Sequence, residues 1–169
     1  MVIRAATISD AHDIAEVHVT SWQSAYRGLM PDSVLDGLSV SKREEMWQRI
    51  IGEKKFQLLV AEHDDRIVAF VDFGSTRDPD AVPGLTGEIL AIYVDSNHWH
   101  EGIGRGLLEA ALSELKSAGC NEATLWVLDS NSRARVFYER AGFSVDGATK
   151  SRIVGNNGKI QEVRYRRPL

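Results

Sequence analysis

The apolar stretch EILAIYV, residues 88–94, is followed after a polar loop by the glycine-rich stretch GIGRGLL, residues 102–108. The first stretch predicts a strand, and the second predicts the start of an amphipathic helix that Gly119 closes. Glycines at a helix start leave backbone N–H groups uncovered, and the helix dipole adds partial positive charge there. The two stretches therefore predict a strand–loop–helix unit that binds phosphate or pyrophosphate at the helix start, with Arg105 adding a full positive charge.

Two common nucleotide-binding patterns fit this glycine-rich stretch poorly. The dinucleotide fingerprint needs a third glycine where the chain has Leu107, and its glycines follow the strand closely. The P-loop pattern needs Gly-Lys-Ser/Thr at residues 107–109, where the chain has Leu-Leu-Glu. Both nucleotide interpretations are therefore weakened, whereas a purely structural role of the glycines, in close packing of the helix on the sheet, stays open.

The rest of the chain shows helical and strand patterns around this unit. The predicted strands are Val2–Thr7, Phe56–Glu62, Arg66–Gly74, Gly87–Val94, Ala123–Leu128, Phe143–Val145 and Glu162–Arg167. The predicted helices run from Ser9 or Asp10 to Gly28, over Ser33–Gly37, over Ser41–Ile51, from Gly102 to Gly119, and from Ser130 or Asn131 to Ala141. Ser41 is predicted as an N-cap with Glu44 at the capping-box position, and a turn at Gly155–Gly158 joins the last two strands. Strands that alternate with helices predict an α/β (α+β) fold, and the hairpins make its sheet mixed.

Composition and charge exclude several classes of protein. The 169 residues suffice for one domain, and 43% hydrophobic with 26% charged residues is ordinary for a globular chain. A net charge of −4 disfavours nucleic acid as the main partner. No apolar run approaches the ~20 residues that span a bilayer, and the N-terminus lacks a signal-peptide pattern, so no membrane partner is expected. The single Cys120 excludes an intramolecular disulfide and fits a reducing compartment, which predicts a cytoplasmic protein.

Three blocks of the sequence resemble the GNAT superfamily of N-acetyltransferases, which use acetyl-coenzyme A (acetyl-CoA). Residues 102–104, Gly-Ile-Gly, match the family signature Gln/Arg-x-x-Gly-x-Gly/Ala, although Trp99 stands where Gln or Arg is usual. The segment Asn131–Phe143 is similar to the family's Asn-x-x-Ala-x-x-Phe-Tyr-Glu-x-x-Gly-Phe block, and Trp22–Leu38 resembles the substrate-side helices of one branch. The resemblance implies that residues 1–169 form a single GNAT domain, with a mostly antiparallel twisted sheet of about seven strands and helices on both faces.

The same resemblance implies acetyl-CoA as the co-substrate. No metal ion is expected, because His98 and His100 stand in a loop without a carboxylate or cysteine at ligand spacing. Backbone groups of Ile92, Tyr93 and Val94 would bind the pantetheine chain, and the helix start would bind the pyrophosphate. Because the chain departs from the family at position 99, His98 or His100 could supply the missing side chain. The residues predicted to contact the coenzyme are Ile92, Tyr93, Val94, His100, Glu101, Gly102, Ile103, Gly104, Arg105, Gly106, Asn131 and Tyr138.

Acetyl transfer to an amine needs a proton acceptor for the ammonium, stabilisation of an oxyanion and a proton for the leaving thiolate. Glu88 is the predicted general base, since histone-acetylating members of the family place a carboxylate at this strand position. A structural ion pair is the alternative for Glu88, and Asp72 is a weaker substitute as base. Tyr138 is the predicted general acid, because a phenol stays protonated at neutral pH; a core aromatic is the alternative. No nucleophile is placed for an acetyl-enzyme, so direct attack in a ternary complex is predicted.

The sequence does not identify the acceptor amine. Trp22 and Tyr26 are predicted either to line an acceptor pocket or to pack in the core. Asp78 and Asp80, in the loop 75–86, would suit a cationic amine. A small-molecule amine and a peptide or protein amine both stay open as partners, and so does a homodimer. The alternative function is a non-catalytic acyl-CoA-binding sensor of the same fold.

Overall fold

A computed structural model describes residues 1–82, 84–155 and 158–169, and its strands form one seven-stranded sheet. The strands are β1 (Val2–Ala5), β2 (Gln57–His63), β3 (Arg66–Ser75), β4 (Thr86–Val94), β5 (Glu122–Leu128), β6 (Ser144–Val154) and β7 (Gly158–Pro168). Their order across the sheet is β1-β2-β3-β4-β5-β7-β6, and only the β4–β5 pair is parallel among the described strands. This arrangement confirms the predicted mixed, mostly antiparallel sheet.

Helices cover both faces of the sheet. In the described part of the chain they are α1 (Ala11–Tyr26), α2 (Asp32–Asp36), α3 (Val40–Glu53), α4 (Ile103–Ser117) and α5 (Ser132–Arg140). On one face α4 buries Leu108 and Leu112 in a core that α5 joins through Tyr138. On the other face α1 and α3 bury Ile14 and Trp47 in a second core. Each such side chain stabilises the fold by roughly 1.5–3 kcal/mol, so these two cores hold both helix layers in place. Within the described ranges, no helix is long and apolar enough to cross a membrane.

The neighbouring strands β4 and β5 pair only at their beginnings. Their parallel ladder runs from Thr86↔Glu122 to Ile89↔Leu125 and stops there. Beyond Ile89 the register of β4 against β3 shifts, and residues 91–94 continue in the ladder with β3 alone. The far half of β4 therefore has no strand partner on its β5 side, and the sheet opens between the two strands.

The beginning of α3 differs from the prediction. The N-cap is Ser39, whose Oγ accepts a hydrogen bond from the Lys42 N–H at 3.3 Å, so the prediction of Ser41 as the N-cap is wrong. Glu44 reaches across to α1, where its Oε2 lies 2.8 Å from Nδ1 of His12, instead of closing a capping box. Two serines with one residue between them offer the same local signal, and the contact with α1 decides where the helix begins.

Helix α1 starts where the sequence predicted, but the predicted N-cap residue does not cap the helix with its side chain. Asp10 occupies the N-cap position, yet its carboxylate turns back and accepts hydrogen bonds from the Thr7 N–H at 2.7 Å and from the Arg4 guanidinium at 2.7 and 2.9 Å. The hydrogen bond with Arg4 is the main reason that the pKa of Asp10 is lowered to about 2. The ion pair ties β1 to the beginning of α1.

The last two strands are longer than predicted. β6 and β7 span 11 residues each, whereas the sequence pattern predicted Phe143–Val145 and Glu162–Arg167. β6 is an edge strand with mostly exposed residues, so its polar sequence carries no alternation of apolar and polar positions. Of the turn predicted between the two strands, Asn156 and Asn157 lie outside the described residues.

Candidate active site

The opening between β4 and β5 leads into a cavity of about 1320 Å³. Its walls come from β4, the loop that precedes α4, the beginnings of α4 and α5, and the sides of α1 and α3 that face the sheet. Pockets for one small ligand measure about 300–1,000 Å³. This cavity therefore has room for two ligands side by side.

The beginning of α4 faces this cavity without a capping side chain. Gly102 occupies the N-cap position at φ +82°, a left-handed conformation that costs glycine little. The N–H groups of the first helical turn have no acceptor within the helix, and Arg105 on this turn lines the cavity. A Cβ on Gly104 would lie 3.3 Å from Cγ2 of Val94 and 3.7 Å from the ring of Phe137. The glycines thus serve two purposes: Gly104 permits close packing of α4, and Gly102 leaves the helix start open to an anion.

Trp99, where the chain departs from the family signature, holds the loop before α4 against β4. Its Nε1–H donates a hydrogen bond to the Val94 carbonyl at 2.9 Å, and Oγ of Ser21 donates to the same carbonyl at 3.0 Å. The guanidinium of Arg133 on α5 lies 3.6 Å from the centroid of the Trp99 ring, within the range of a cation–π contact. The tryptophan therefore occupies the Val94 carbonyl and positions a cation on the wall of the cavity.

Not all of the residues predicted to contact the coenzyme reach this cavity. Ile92, Tyr93 and Val94 line the open edge of β4, and His100 and Ile103 line the wall near the helix start. Glu101 and Gly106 do not line the cavity. The Glu101 carboxylate points to His98, with 3.1 Å between its Oε2 and Nδ1 of that histidine, and a Cβ on Gly106 would face Ile3 of β1.

Helix α5 contributes Asn131, at its N-cap, and Tyr138, in its last turn, to the cavity. Oδ1 of Asn131 accepts a hydrogen bond from the Ala134 N–H at 3.1 Å, so this side chain caps α5. Tyr138 is only 9% exposed, and its hydroxyl has no hydrogen-bond partner among the described residues. Burial raises the pKa of Tyr138 above its usual value, so the phenol keeps its proton at neutral pH.

Two carboxylates, Glu88 on β4 and Asp72 on β3, enter the cavity in contrasting surroundings. Glu88 is 1% exposed, and both of its oxygens accept hydrogen bonds from Arg77. The Arg77 N–H and Nε donate to Oε2 at 3.0 and 3.1 Å, and Nη2 donates to Oε1 at 2.6 Å. Asp72 is 7% exposed, and its Oδ1 has no partner among the described residues. Burial, helped by the negative charge of Glu88, raises the pKa of Asp72 to about 7.

The acidic loop residues Asp78 and Asp80 are neutralised by an arginine of β7. Nη1 and Nη2 of Arg164 donate to the two Asp80 oxygens at 2.7 Å each, and Nη1 also lies 3.2 Å from Oδ2 of Asp78. The indole N–H of Trp126 donates to Asp78 at 3.0 Å. These carboxylates therefore do not form the open cation site that the sequence suggested.

The side of the cavity formed by α1 and α3 is aromatic. Trp22 and Tyr26 line it, with their ring centroids 5.2 Å apart in an edge-to-face arrangement, and the Tyr26 hydroxyl lies 3.2 Å from the Tyr93 hydroxyl. Sequence reasoning missed His18 and Arg43, which line the same side, and Arg77, which binds Glu88. The helical spacing of His18 and Trp22 on α1 was visible in the sequence, whereas nothing in the sequence linked α3 to this wall.

Comparison with known proteins shows which family this chain is similar to. The model described as "Acetyltransferase (GNAT) family" matches residues 13–143. A protein of Mycobacterium tuberculosis named "Probable N-acetyltransferase" is 31% identical over 87% of this chain and 82% of its own length. The spermidine N(1)-acetyltransferase of Thermoplasma acidophilum is 25% identical over 90% of this chain and 93% of its own.

Among solved structures, the PaiA N-acetyltransferase from Thermoplasma acidophilum in complex with coenzyme A matches with a TM-score of 0.71. It is 24% identical and covers 96% of this chain and 98% of its own, so it supports the fold described above. The family match covers most of the chain, and it includes both the strand–loop–helix unit and α5. The chain therefore belongs to the GNAT family of acetyltransferases.

Proposed function

We propose that this protein transfers the acetyl group of acetyl-CoA to a primary amine by direct attack in a ternary complex. One observation carries the proposal. A single cavity, large enough for two ligands, contains an uncapped helix start, a phenol that keeps its proton and a buried carboxyl with a pKa of about 7. These are an anion site, a proton donor and a proton acceptor, which acetyl transfer from a thioester to an amine requires together.

Acetyl-CoA would lie along the opening between β4 and β5. The N–H groups at the start of α4, with Arg105, bind its pyrophosphate. The pantetheine chain pairs with the backbone groups of Ile92, which face the open edge of β4, whereas those of Tyr93 face β3. The Asn131 amide offers a further hydrogen bond. The acetyl end then reaches the region where Asp72, Glu88 and Tyr138 line the cavity.

Asp72 acts as the general base in this mechanism, with Glu88 as its neighbour. Glu88 was predicted as the base from the sequence, but Arg77 donates hydrogen bonds to both of its oxygens, whereas Asp72 keeps one oxygen without a partner. A base with a pKa near the working pH is the most effective proton acceptor. Glu88 holds Arg77 in place, and its negative charge helps to keep the pKa of Asp72 high.

The reaction then balances as follows. Asp72 takes a proton from the ammonium group of the acceptor, and the freed nitrogen attacks the thioester carbonyl carbon. The carbon–sulfur bond breaks, and Tyr138 donates its proton to the leaving sulfur. The second proton lost from the nitrogen restores the Tyr138 phenol, and the proton on Asp72 passes to solvent. The products are the N-acetyl amide, coenzyme A and one proton.

The experiment that tests this function is isothermal titration with acetyl-CoA, followed by an assay of free thiol with a panel of primary amines. The variant Arg105→Glu places a negative charge at the α4 start and should weaken binding at least tenfold. Lys116→Glu, at the other end of the same helix, is the matched control and should bind as the wild type does. These sites avoid the tight contact that a side chain at Gly104 would make with Val94.

The outcomes separate the proposal from its alternatives. Binding with release of thiol in the presence of an amine supports the enzyme. Binding without turnover on any amine supports the non-catalytic sensor. Failure of the wild type to bind acetyl-CoA overturns both.

A further inference from the structure

The α1–α3 side of the cavity contains a cation that no carboxylate neutralises. The guanidinium of Arg43, on α3, lies 5.5 Å from the centroid of the Trp22 ring, and its hydrogen bond to a side chain is a weak one to the Met46 sulfur at 3.5 Å. Across the described residues, no carboxylate lies within 4 Å of it, although surface arginines such as Arg27 have acidic partners. Arg43 also lines the cavity instead of pointing to bulk solvent.

His18, one layer deeper, presents a buried N–H group that has no acceptor. It is 6% exposed, and its Nδ1 accepts a hydrogen bond from the Trp47 indole N–H at 3.2 Å. An indole N–H can only donate, so the proton of the neutral imidazole must be on Nε2. This Nε2 is buried without a partner in the described structure. Burial, together with the charge of Arg43, lowers the pKa of His18 to about 3, so the ring is a neutral donor at pH 7.

Trp22 adds a third donor beside these two. Its Nε1 is buried and meets no acceptor at full hydrogen-bond geometry in the described structure, although the Tyr93 hydroxyl is close enough for this N–H to act on the pKa of that phenol. The ring centroid of Trp22 is 5.4 Å from that of His18. Buried N–H groups without partners are rare in folded proteins. Among the described residues, two buried N–H groups without a hydrogen bond therefore lie beside a guanidinium whose side-chain acceptor is the Met46 sulfur, an arrangement that suits an acceptor supplied by a ligand.

The carboxylates of the cavity wall are engaged elsewhere. Glu88 pairs with Arg77, Asp78 with Arg164, and Oε1 of Glu162 with Arg152 at 2.9 Å. Oε2 of Glu162 lies 3.8 Å from the Lys150 ammonium without a hydrogen bond, and the remaining carboxylate of the wall is Asp72. The ligand that meets Arg43 must therefore bring its own negative charge. A single guanidinium beside two neutral donors can balance one negative charge shared by two oxygens. A carboxylate has this charge and these oxygens, so it fits the site better than a phosphate dianion does.

We propose that the acceptor is an amino acid whose free carboxylate binds to Arg43, His18 and Trp22. This inference rests on the proposed acetyl transfer, since it names the substrate class of that reaction. In this proposal the carboxylate binds on the α1–α3 side of the cavity, and the amino group is directed to Asp72 and Glu88, which line the same cavity. Met30, Met46 and Ile50 line the same cavity and provide an apolar wall for the side chain of the amino acid.

A binding experiment tests the carboxylate site without any turnover. Sodium propionate, with neutral propionamide as its isostere, is titrated into ¹⁵N-labelled protein, and the indole N–H signals are followed by NMR. Trp22→Phe assigns the Trp22 signal. Propionate should shift this signal downfield in a saturable way, and propionamide should not. Trp126 lines the same cavity, but its N–H already donates to Asp78, so its signal should stay in place.

The variant Arg43→Gln keeps most of the stem over Trp22 and removes the charge. It should weaken propionate binding at least tenfold, whereas Arg49→Gln, an exposed position on the same helix and outside the cavity wall, should leave binding unchanged. Absence of the shift in the wild type, or an equal shift in Arg43→Gln, overturns the carboxylate site.

Turnover then separates this inference from the proposed function. L-amino acids are compared with their carboxamides, and spermidine is included as a cationic acceptor. The wild type should favour the amino acids at least tenfold in kcat/KM, mainly through KM, and Arg43→Gln should lose this preference. Equal turnover of the carboxamides, or preference for spermidine, overturns the inference and leaves the acetyltransferase intact. Propionate binding without turnover of any amine supports the anion site and contradicts the transferase.

Discussion

At the scale of single residues, Asp72 and Glu88 line the same cavity and differ in what surrounds them. Glu88 has donors on both oxygens, whereas Oδ1 of Asp72 has none among the described residues. A proton acceptor needs a free lone pair aimed at the site and a pKa that leaves it ionised at working pH. In the proposed mechanism Asp72 is preferred as the base, since no described residue donates to its Oδ1 and its pKa is raised to about 7.

The first prediction concerns the pH dependence of catalysis. The base must be ionised, so kcat/KM of the wild type should rise with pH through an apparent pKa near 7. Asp72→Asn should lower kcat/KM at pH 8 on the order of 100-fold and remove this limb, while acetyl-CoA binding stays intact. In Glu88→Gln, kcat/KM should still rise with pH, but through a lower apparent pKa, because the negative charge that helps to raise the pKa of Asp72 is gone. If Glu88→Gln instead abolishes the rise of kcat/KM with pH and Asp72→Asn keeps it, Glu88 is the base.

The second prediction concerns the phenol of Tyr138. Its hydroxyl donates no hydrogen bond to a described residue, so Tyr138→Phe removes a proton donor without removing a structural contact. We expect kcat to fall on the order of 100-fold, with the Kd for acetyl-CoA and the Tm close to those of the wild type. Steady-state kinetics, titration calorimetry and thermal unfolding of the same preparation check this. An unchanged kcat would assign Tyr138 to the core alone.

The sequence identified these residues to different degrees. Tyr138 could be chosen because it lies in a conspicuous block of residues on a single helix. The sequence ranked Glu88 above Asp72 as the base, and our proposal reverses that order because of Arg77, which comes from a loop that the pattern leaves undefined. Arg43 and His18 were missed because their common surroundings arise only when α1 and α3 pack together.

At the scale of secondary-structure elements, the N-cap of α3 shows how a local signal is resolved by its surroundings. Ser39 and Ser41 both precede the helical pattern, and only Ser39 accepts a hydrogen bond from a first-turn N–H. The central elements β4, α4 and α5 were placed within one or two residues, since their apolar periodicity is strong. The predicted edge strand β6 was too short, because the residues of an exposed edge strand show no apolar pattern from which its ends could be predicted.

The third prediction compares the two serines. Ser39→Ala removes the capping hydrogen bond and should lower the free energy of unfolding by about 1 kcal/mol. Ser41→Ala, within the first turn and exposed, should change it by less than about 0.5 kcal/mol. Urea denaturation of the two variants side by side measures the difference. Equal effects would show that the cap does not stabilise α3.

At the scale of the whole molecule, two buried groups act on stability in opposite directions as the pH changes. Asp72 binds a proton near pH 7 in the folded state but near pH 3.9 when unfolded, so acidification in this window stabilises the fold. His18 binds a proton near pH 6.5 when unfolded but only near pH 3 when folded, so acidification destabilises the fold. Each effect amounts to about 1.4 kcal/mol per pH unit at most, and between pH 4.5 and 6 the two offset each other.

The fourth prediction follows from this cancellation. Between pH 6 and pH 4.5, Asp72→Asn should lose about 2 kcal/mol more unfolding free energy than the wild type, because the contribution of His18 is no longer opposed. His18→Gln should change by about the same amount in the other direction. Urea denaturation at both pH values checks the pair. Curves of both variants that run parallel to the wild type would contradict the assigned protonation states.

The opening between β4 and β5 has a consequence for how this chain can change over time. In the proposed function, the coenzyme side of the cavity is built from the α4–α5 layer and the acceptor side from the α1–α3 layer, with the sheet between the two. Substitutions at Arg43, Trp22 or their neighbours can therefore redirect the choice of amine while the machinery for the shared acetyl donor stays constant. Divergence of substrate range in such a scaffold proceeds on one layer at a time, and each intermediate sequence remains able to bind its donor.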